Sequence, residues 1–150
     1  MIHFATSYFY QIRNFKPNMI PLSTACFSPK WFTKGIDKRG IITGLHFSDF
    51  APGPLCAGLC RGPDTCGSNS NSCQFLKVYR AQLENVSLPV LMQRCERCLK
   101  WIEQVHHLTF DDPIFVMMVY ETPQNPCSER AAIQDWFHVR GIECKELTFK

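Results

Sequence analysis

The sequence predicts an α/β protein: a single domain with a mostly parallel central sheet flanked by helices, and an inserted Cys-rich loop. Three observations carry that expectation. The chain has 150 residues, 45% of them hydrophobic and 19% charged, which is the size and balance of one globular domain. Residues 114–120, Ile-Phe-Val-Met-Met-Val-Tyr, are a near-continuous apolar run of strand length, the pattern of a strand covered on both faces. Helical periodicity lies between strand-like segments, and strands separated by helices pair in parallel.

Residues 2–7 are apolar and β-prone, and residues 19–25 follow the turn signal Lys16-Pro17-Asn18. Ser28-Pro29-Lys30-Trp31 has the form of a helix start, with Ser as cap and Pro in the first turn. Residues 41–47 read as extended around Gly44. Over residues 50–72 the composition turns to Gly, Pro, Ser, Asn and Cys with no hydrophobic period. A loop of that length in a compact domain is functional or held by something.

Two helices follow. In residues 74–86, Phe75, Val78, Tyr79, Leu83 and Val86 recur every three or four positions. Ser87-Leu88-Pro89 breaks the chain, with Ser87 as a cap. In residues 90–106, Leu91, Cys95, Cys98, Leu99, Ile102 and Val105 form one stripe. Asp111-Asp112-Pro113 turns the chain into the apolar strand. A polar turn over 121–125 then leads to a helix over 126–139, stopped near Gly141, and to a last strand over 143–149.

Sixteen Lys and Arg against thirteen Asp and Glu leave a net charge of +3, too small to mark an obligate nucleic-acid or membrane binder. No stretch approaches the roughly 20 apolar residues of a bilayer crossing. One local excess stands out: Lys30, Lys34, Lys38 and Arg39 surround Trp31 and Phe32, opposed by Asp37. Such a patch would steer a phosphate-bearing ligand; a solvated loop face is the commoner explanation.

Nine cysteines are the compositional outlier. Their number is odd, and the first residues lack the basic region and apolar run of a secretory signal. The expectation is a cytoplasmic, reducing location, where dense cysteine means metal, catalysis or burial. Cys56, Cys60, Cys66 and Cys73 form C-x3-C-x5-C-x6-C in the glycine-rich loop. Glycines let main-chain amides approach thiolates, and the loop has few large apolar side chains of its own. Zinc or an iron–sulfur cluster would account for both, against unligated or disulfide-linked thiols. Cys95 and Cys98 lie on the apolar stripe of a helix, where core packing is the simpler reading.

The strand over 114–120, its turn and the next helix form a βα unit, and ligands in such folds gather outside the carboxyl ends of strands. That places residues 121–130 where chemistry is expected. Asn125 or Ser128 would cap the helix and Cys127 in its first turn would have a lowered pKa. Arg130 would clamp a phosphate or carboxylate, and Glu121 would act as a general acid or base. Against this stands a purely structural turn, with Ser128 an ordinary cap, Glu121 paired with Arg130 and Cys127 packed.

Several segments also resemble domain-of-unknown-function family 488. They are Thr6-Ser7-Tyr8-Phe9, Ile20-Pro21-Leu22-Ser23 with Pro29-Lys30-Trp31-Phe32, and Phe50-Ala51-Pro52. The family's C-terminal signature has its counterpart in Tyr120-Glu121-Thr122-Pro123, Cys127-Ser128-Glu129-Arg130 and Trp136. With Arg130 and Trp136 in register, Ser128 and Glu129 stand where the family has Cys and His, and Cys26 stands where relatives often carry a basic residue. The resemblance implies a small intracellular α/β protein of bacteria and their viruses (in the host cytoplasm if virus-encoded), with no established reaction.

The leading expectation is an enzyme acting on a phosphorylated ligand such as a nucleotide or nucleic-acid end. Glu121, Cys127, Ser128 and Arg130 would line its site, helped by Ser7, Ser23 and Lys30 on neighbouring strand ends. The alternatives are a non-catalytic binding module for protein or nucleic acid, and an iron–sulfur redox protein.

Overall fold

The computed structural model describes residues 1–59 and 73–149. Seven strands occur among them: β1 (His3–Tyr8), β2 (Met19–Ser23), β3 (Gly35–Ile36), β4 (Ile42–Thr43), β5 (Leu45–His46), β6 (Ile114–Val119) and β7 (Cys144–Glu146). Five form one sheet in the order β5-β2-β6-β1-β7, with every pairing parallel. β3 and β4 make a small antiparallel pair. β6 explains its own composition. Phe115, Met117 and Val119 pack on one face of the sheet, and Val116 and Met118 on the other.

Three helices cover the first face: α1 (Gln74–Leu83), α2 (Leu88–His106) and α3 (Arg130–Val139). Their buried stripes, among them Tyr79, Leu83, Leu91, Cys95, Ile102, Ile133 and Phe137, meet Phe4, Ile20, Leu22 and Phe115 in the larger core. Ser87 caps α2 as expected, its hydroxyl accepting from the Val90 amide at 3.4 Å. α3 ends where expected, with Gly141 at φ +77° and the Ile142 amide returning to the Phe137 carbonyl at 3.0 Å.

The other face is covered differently. It is closed by a 3-10 turn (Phe9–Asn14), by Phe15, Phe32 and Ile41, and by Leu147 and Phe149 beyond β7. The helix start expected at Ser28 is a single turn instead, closed by Phe32 N–H to the Pro29 carbonyl at 2.9 Å. Phe32 is pulled into the core there, and the chain enters β3 three residues later. The extended segment over 41–47 splits at Gly44, which has φ +85° and would place a Cβ 2.2 Å from the Lys34 amide nitrogen. Only glycine fits that corner, which lets β4 pair with β3 and β5 pair with β2. The last strand is shorter than expected. β7 pairs only with Phe4–Thr6 of β1, after which the chain folds onto the second face.

Connectivity places the cleft. The chain leaves β1 toward β2 on one side, and leaves β6 through α3 toward β7 on the other. Such a reversal opens a crevice at the carboxyl ends of the strands. Among the described residues no helix is long and apolar enough to cross a membrane.

Candidate active site

The turn between β6 and α3 is wound by its own side chains. The Asn125 Oδ1 accepts from the Cys127 amide at 2.9 Å, and the Ser128 Oγ accepts from the Arg130 amide at 3.2 Å. These bonds replace the first helical turn, so α3 begins at Arg130 rather than at 126. Cys127 is half-buried and lies three residues ahead of the helix, outside the first turn where the sequence places it.

Arg130 is buried and each of its three guanidinium nitrogens donates to the protein. Nε donates to Glu146 Oε1, while the two terminal nitrogens donate to the main-chain oxygens of Thr122 (2.9 Å) and Glu121 (2.7 Å). The expected phosphate clamp is therefore corrected. Arg130 fastens the turn to α3 and β7, with a protein partner on every guanidinium nitrogen. The expected Glu121–Arg130 contact is made through the Glu121 carbonyl, which leaves the Glu121 carboxylate for other partners.

Those partners are Ser128 and Glu129. The Ser128 hydroxyl donates to Glu121 Oε2 at 3.3 Å, and the Glu121 carboxylate lies close enough to Glu129 for its charge to act on it. Burial, and then the neighbouring Glu121 charge, raise the Glu129 pKa to about 7.

Glu129 faces an open cleft of about 490 Å³ at the carboxyl ends of β2 and β6. Cys26 and Phe27 line it from the segment after β2, Tyr120 from the end of β6, Cys56 from the 3-10 turn Pro54–Cys56, and Phe75 from α1. Gln82 of α1 fixes the Cys56 side. It accepts from the Gly53 amide at 2.7 Å and donates to the carbonyls of Ala51 (2.6 Å) and Asp49 (3.2 Å). The Cys26 thiol donates to the Pro52 carbonyl at 2.8 Å, and burial pushes the Cys56 thiol pKa up.

The remaining expected residues are spread out. Ser7 is fully enclosed on the sheet face opposite the helices. Ser23 is buried, its Oγ accepting from Ser28 at 2.8 Å and from the Ala25 amide at 3.3 Å. Burial removes both from ligand contact and corrects their expected role. Lys30 is exposed in the turn after β2. Cys60 and Cys66 lie outside the described residues; Cys56 and Cys73 are buried at the two ends of that segment. Among the described residues no three His, Cys, Asp or Glu side chains group to hold a metal ion. Cys95 is packed in the core, its pKa pushed up to about 12 by burial. Cys98 borders the same core, as the helical stripe implies.

No family model, curated protein or solved structure matches the chain. The carboxyl pair therefore has to be read from its own geometry. Sequence reasoning found Glu121 and Ser128 but passed over Glu129, Cys26 and Gln82. Nothing in the local sequence marks Gln82, whose role depends on a segment 26 to 33 residues away.

Proposed function

We propose that the chain is an enzyme in which Glu129 and Glu121 act as a general acid–base pair on a phosphorylated ligand, such as a nucleotide or a nucleic-acid end. The observation carrying this reading is Glu129 on the wall of an open cleft at the carboxyl ends of parallel strands, enclosed and beside the Glu121 charge. A group raised to about 7 both holds and releases a proton near neutral pH. Ser128 would orient Glu121, and Arg130 would position the whole turn without touching the ligand. The phosphate would be met by exposed cations such as Lys30 at the rim, because the cleft itself is lined by apolar groups, thiols and a carboxyl. The resemblance to family 488 supports the location, since Ser128 and Glu129 fall on that family's Cys and His positions.

Screening nucleotides and end-phosphorylated oligonucleotides for turnover across pH tests the reading. Turnover is expected to require a group ionising near neutrality, and to fall at least 100-fold in Glu129→Gln. The outward-facing control Glu96→Gln should leave it unchanged. Turnover indifferent to Glu129→Gln would overturn the assignment. The metal is a separate proposal: a zinc ion or iron–sulfur cluster on Cys56, Cys60, Cys66 and Cys73 would brace this wall of the cleft. Elemental analysis with visible absorbance is expected to find zinc or iron in the purified protein, lost in Cys60→Ser; metal-free protein with unchanged stability in that variant would refute it.

A further inference from the structure

Four aromatic side chains are exposed among the described residues, and all stand at one end of the sheet. Tyr10 is 59% exposed, Trp31 57%, Tyr120 53% and Phe27 85%. They are joined through a buried ring. Phe9 lies 6.3 Å from Trp31, nearly perpendicular to it, and 5.0 Å from Tyr120. The Tyr120 hydroxyl donates to the Phe27 carbonyl at 2.6 Å. This row connects two clefts. One, of about 380 Å³, is lined by Tyr10, Trp31, Arg13 and Arg39; the other holds Phe27, Tyr120 and Glu129.

Exposing this much aromatic surface is unfavourable unless something covers it, and the charge around it says what. Residues 1–59 hold six Lys and Arg, namely Arg13, Lys16, Lys30, Lys34, Lys38 and Arg39, against Asp37 and Asp49. The small net charge of the whole chain conceals this excess. Asp37 is spent on Arg39 at 2.9 Å, which leaves Lys30, Lys34 and Lys38, exposed on the segment that carries Trp31, without an acidic partner among the described residues. The Arg13 guanidinium lies 3.9 Å over the Tyr10 ring.

We infer that this face is a track for single-stranded nucleic acid. Bases stack on Tyr10, Trp31, Tyr120 and Phe27 while the backbone follows Arg13 and the three lysines, and one base or sugar enters the cleft at Glu129. Aromatic platforms interleaved with cations suit a single strand, whose bases are free to stack; a duplex hides those faces and an acidic peptide offers none. The inference rests on the acid–base reading for the fate of the bound end, but not for binding itself. It also removes a difficulty of that reading, because it puts an uncharged base rather than a phosphate beside the carboxyl pair.

The test is fluorescence anisotropy with a labelled single-stranded oligonucleotide of about 12 nucleotides, in DNA and RNA forms. Binding should weaken as salt rises, with a log–log slope shrinking by roughly 0.7 for each of Lys34→Ala and Lys38→Ala. Tyr10→Ala with Trp31→Ala should weaken binding at least 10-fold, and Phe27→Ala should weaken it independently of any effect on folding, its ring being almost free of the core. A preference for DNA or RNA identifies the source of the strand. Wild-type affinity in the aromatic variants, or tighter binding of the duplex or of polyglutamate, would overturn the track. Glu129→Gln should bind as wild type. Its loss of turnover with intact binding supports both ideas, whereas binding without turnover in the unmodified protein sinks the acid–base reading alone.

Discussion

Replacing Arg130 with methionine is expected to cost about 3–5 kcal/mol of folding stability, read as a lowered urea midpoint with an unchanged slope. The reason is what the guanidinium leaves behind. Its side chain is 8% exposed and its partner Glu146 17% exposed, so truncation strands a carboxylate away from water. Glu146 Oε1 also accepts from the Thr6 hydroxyl at 2.8 Å, and that hydroxyl in turn accepts from Gln134 at 2.7 Å. Glu146 Oε2 has no partner among the described residues, so no second donor stands ready. The carbonyls of Glu121 and Thr122 lose their donors at the same time. Lysine should rescue little, because a single ammonium cannot reproduce a planar fork with three directions. The double variant Arg130→Met, Glu146→Gln should recover a large part of the loss by removing the stranded charge. A single-variant loss under about 1 kcal/mol would show that the turn holds itself without the arginine.

That network also marks the limit of what the sequence disclosed. The parallel sheet was legible because its signals are local. The apolar run of β6, the stripes of α1 and α2, the Ser87 cap and the Gly141 stop each follow from a few neighbouring residues. The second face was not legible, because Phe9, Ile12, Phe32 and Phe149 come from distant segments with no shared period, and only the assembled sheet gathers them. The site divided along the same line. Glu121 and Ser128 were reached from topology, as residues at the carboxyl end of a buried strand. Arg130 reads locally as a free cation at a helix start, but its partner Glu146 is 16 residues on, in β7. Ser7 and Ser23 failed through alternation: both point to the closed face of the sheet, which a strand pattern without polar gaps could not reveal. Glu129 was hidden because a glutamate at a helix start looks like an ordinary dipole partner, and its unusual state comes from enclosure and a second carboxylate.

Glu129→Gln is expected to make the protein more stable at pH 8 and to change it little at pH 5. The sign follows from proton counts. Glu129 has a folded-state pKa of about 7 against 4.5 for the free side chain, so between those values the native state holds a proton that the unfolded chain has released. Stability therefore falls as pH rises through that window. Above it the native protein carries the full cost of ionising a half-buried carboxyl beside Glu121, on the order of 3 kcal/mol. Glutamine keeps the shape and never ionises. The difference in unfolding free energy between variant and wild type, measured from pH 4 to 9, should thus be small at the acid end and grow to a plateau above neutrality; contributions common to both proteins cancel. A flat difference would mean that Glu129 titrates normally. Glu121→Gln should move the rise to lower pH, since it removes the charge that resists ionisation of Glu129. A side chain that destabilises the fold at working pH, when an isosteric amide would not, is hard to explain by packing. It is the expected signature of a residue kept for its proton rather than for the fold.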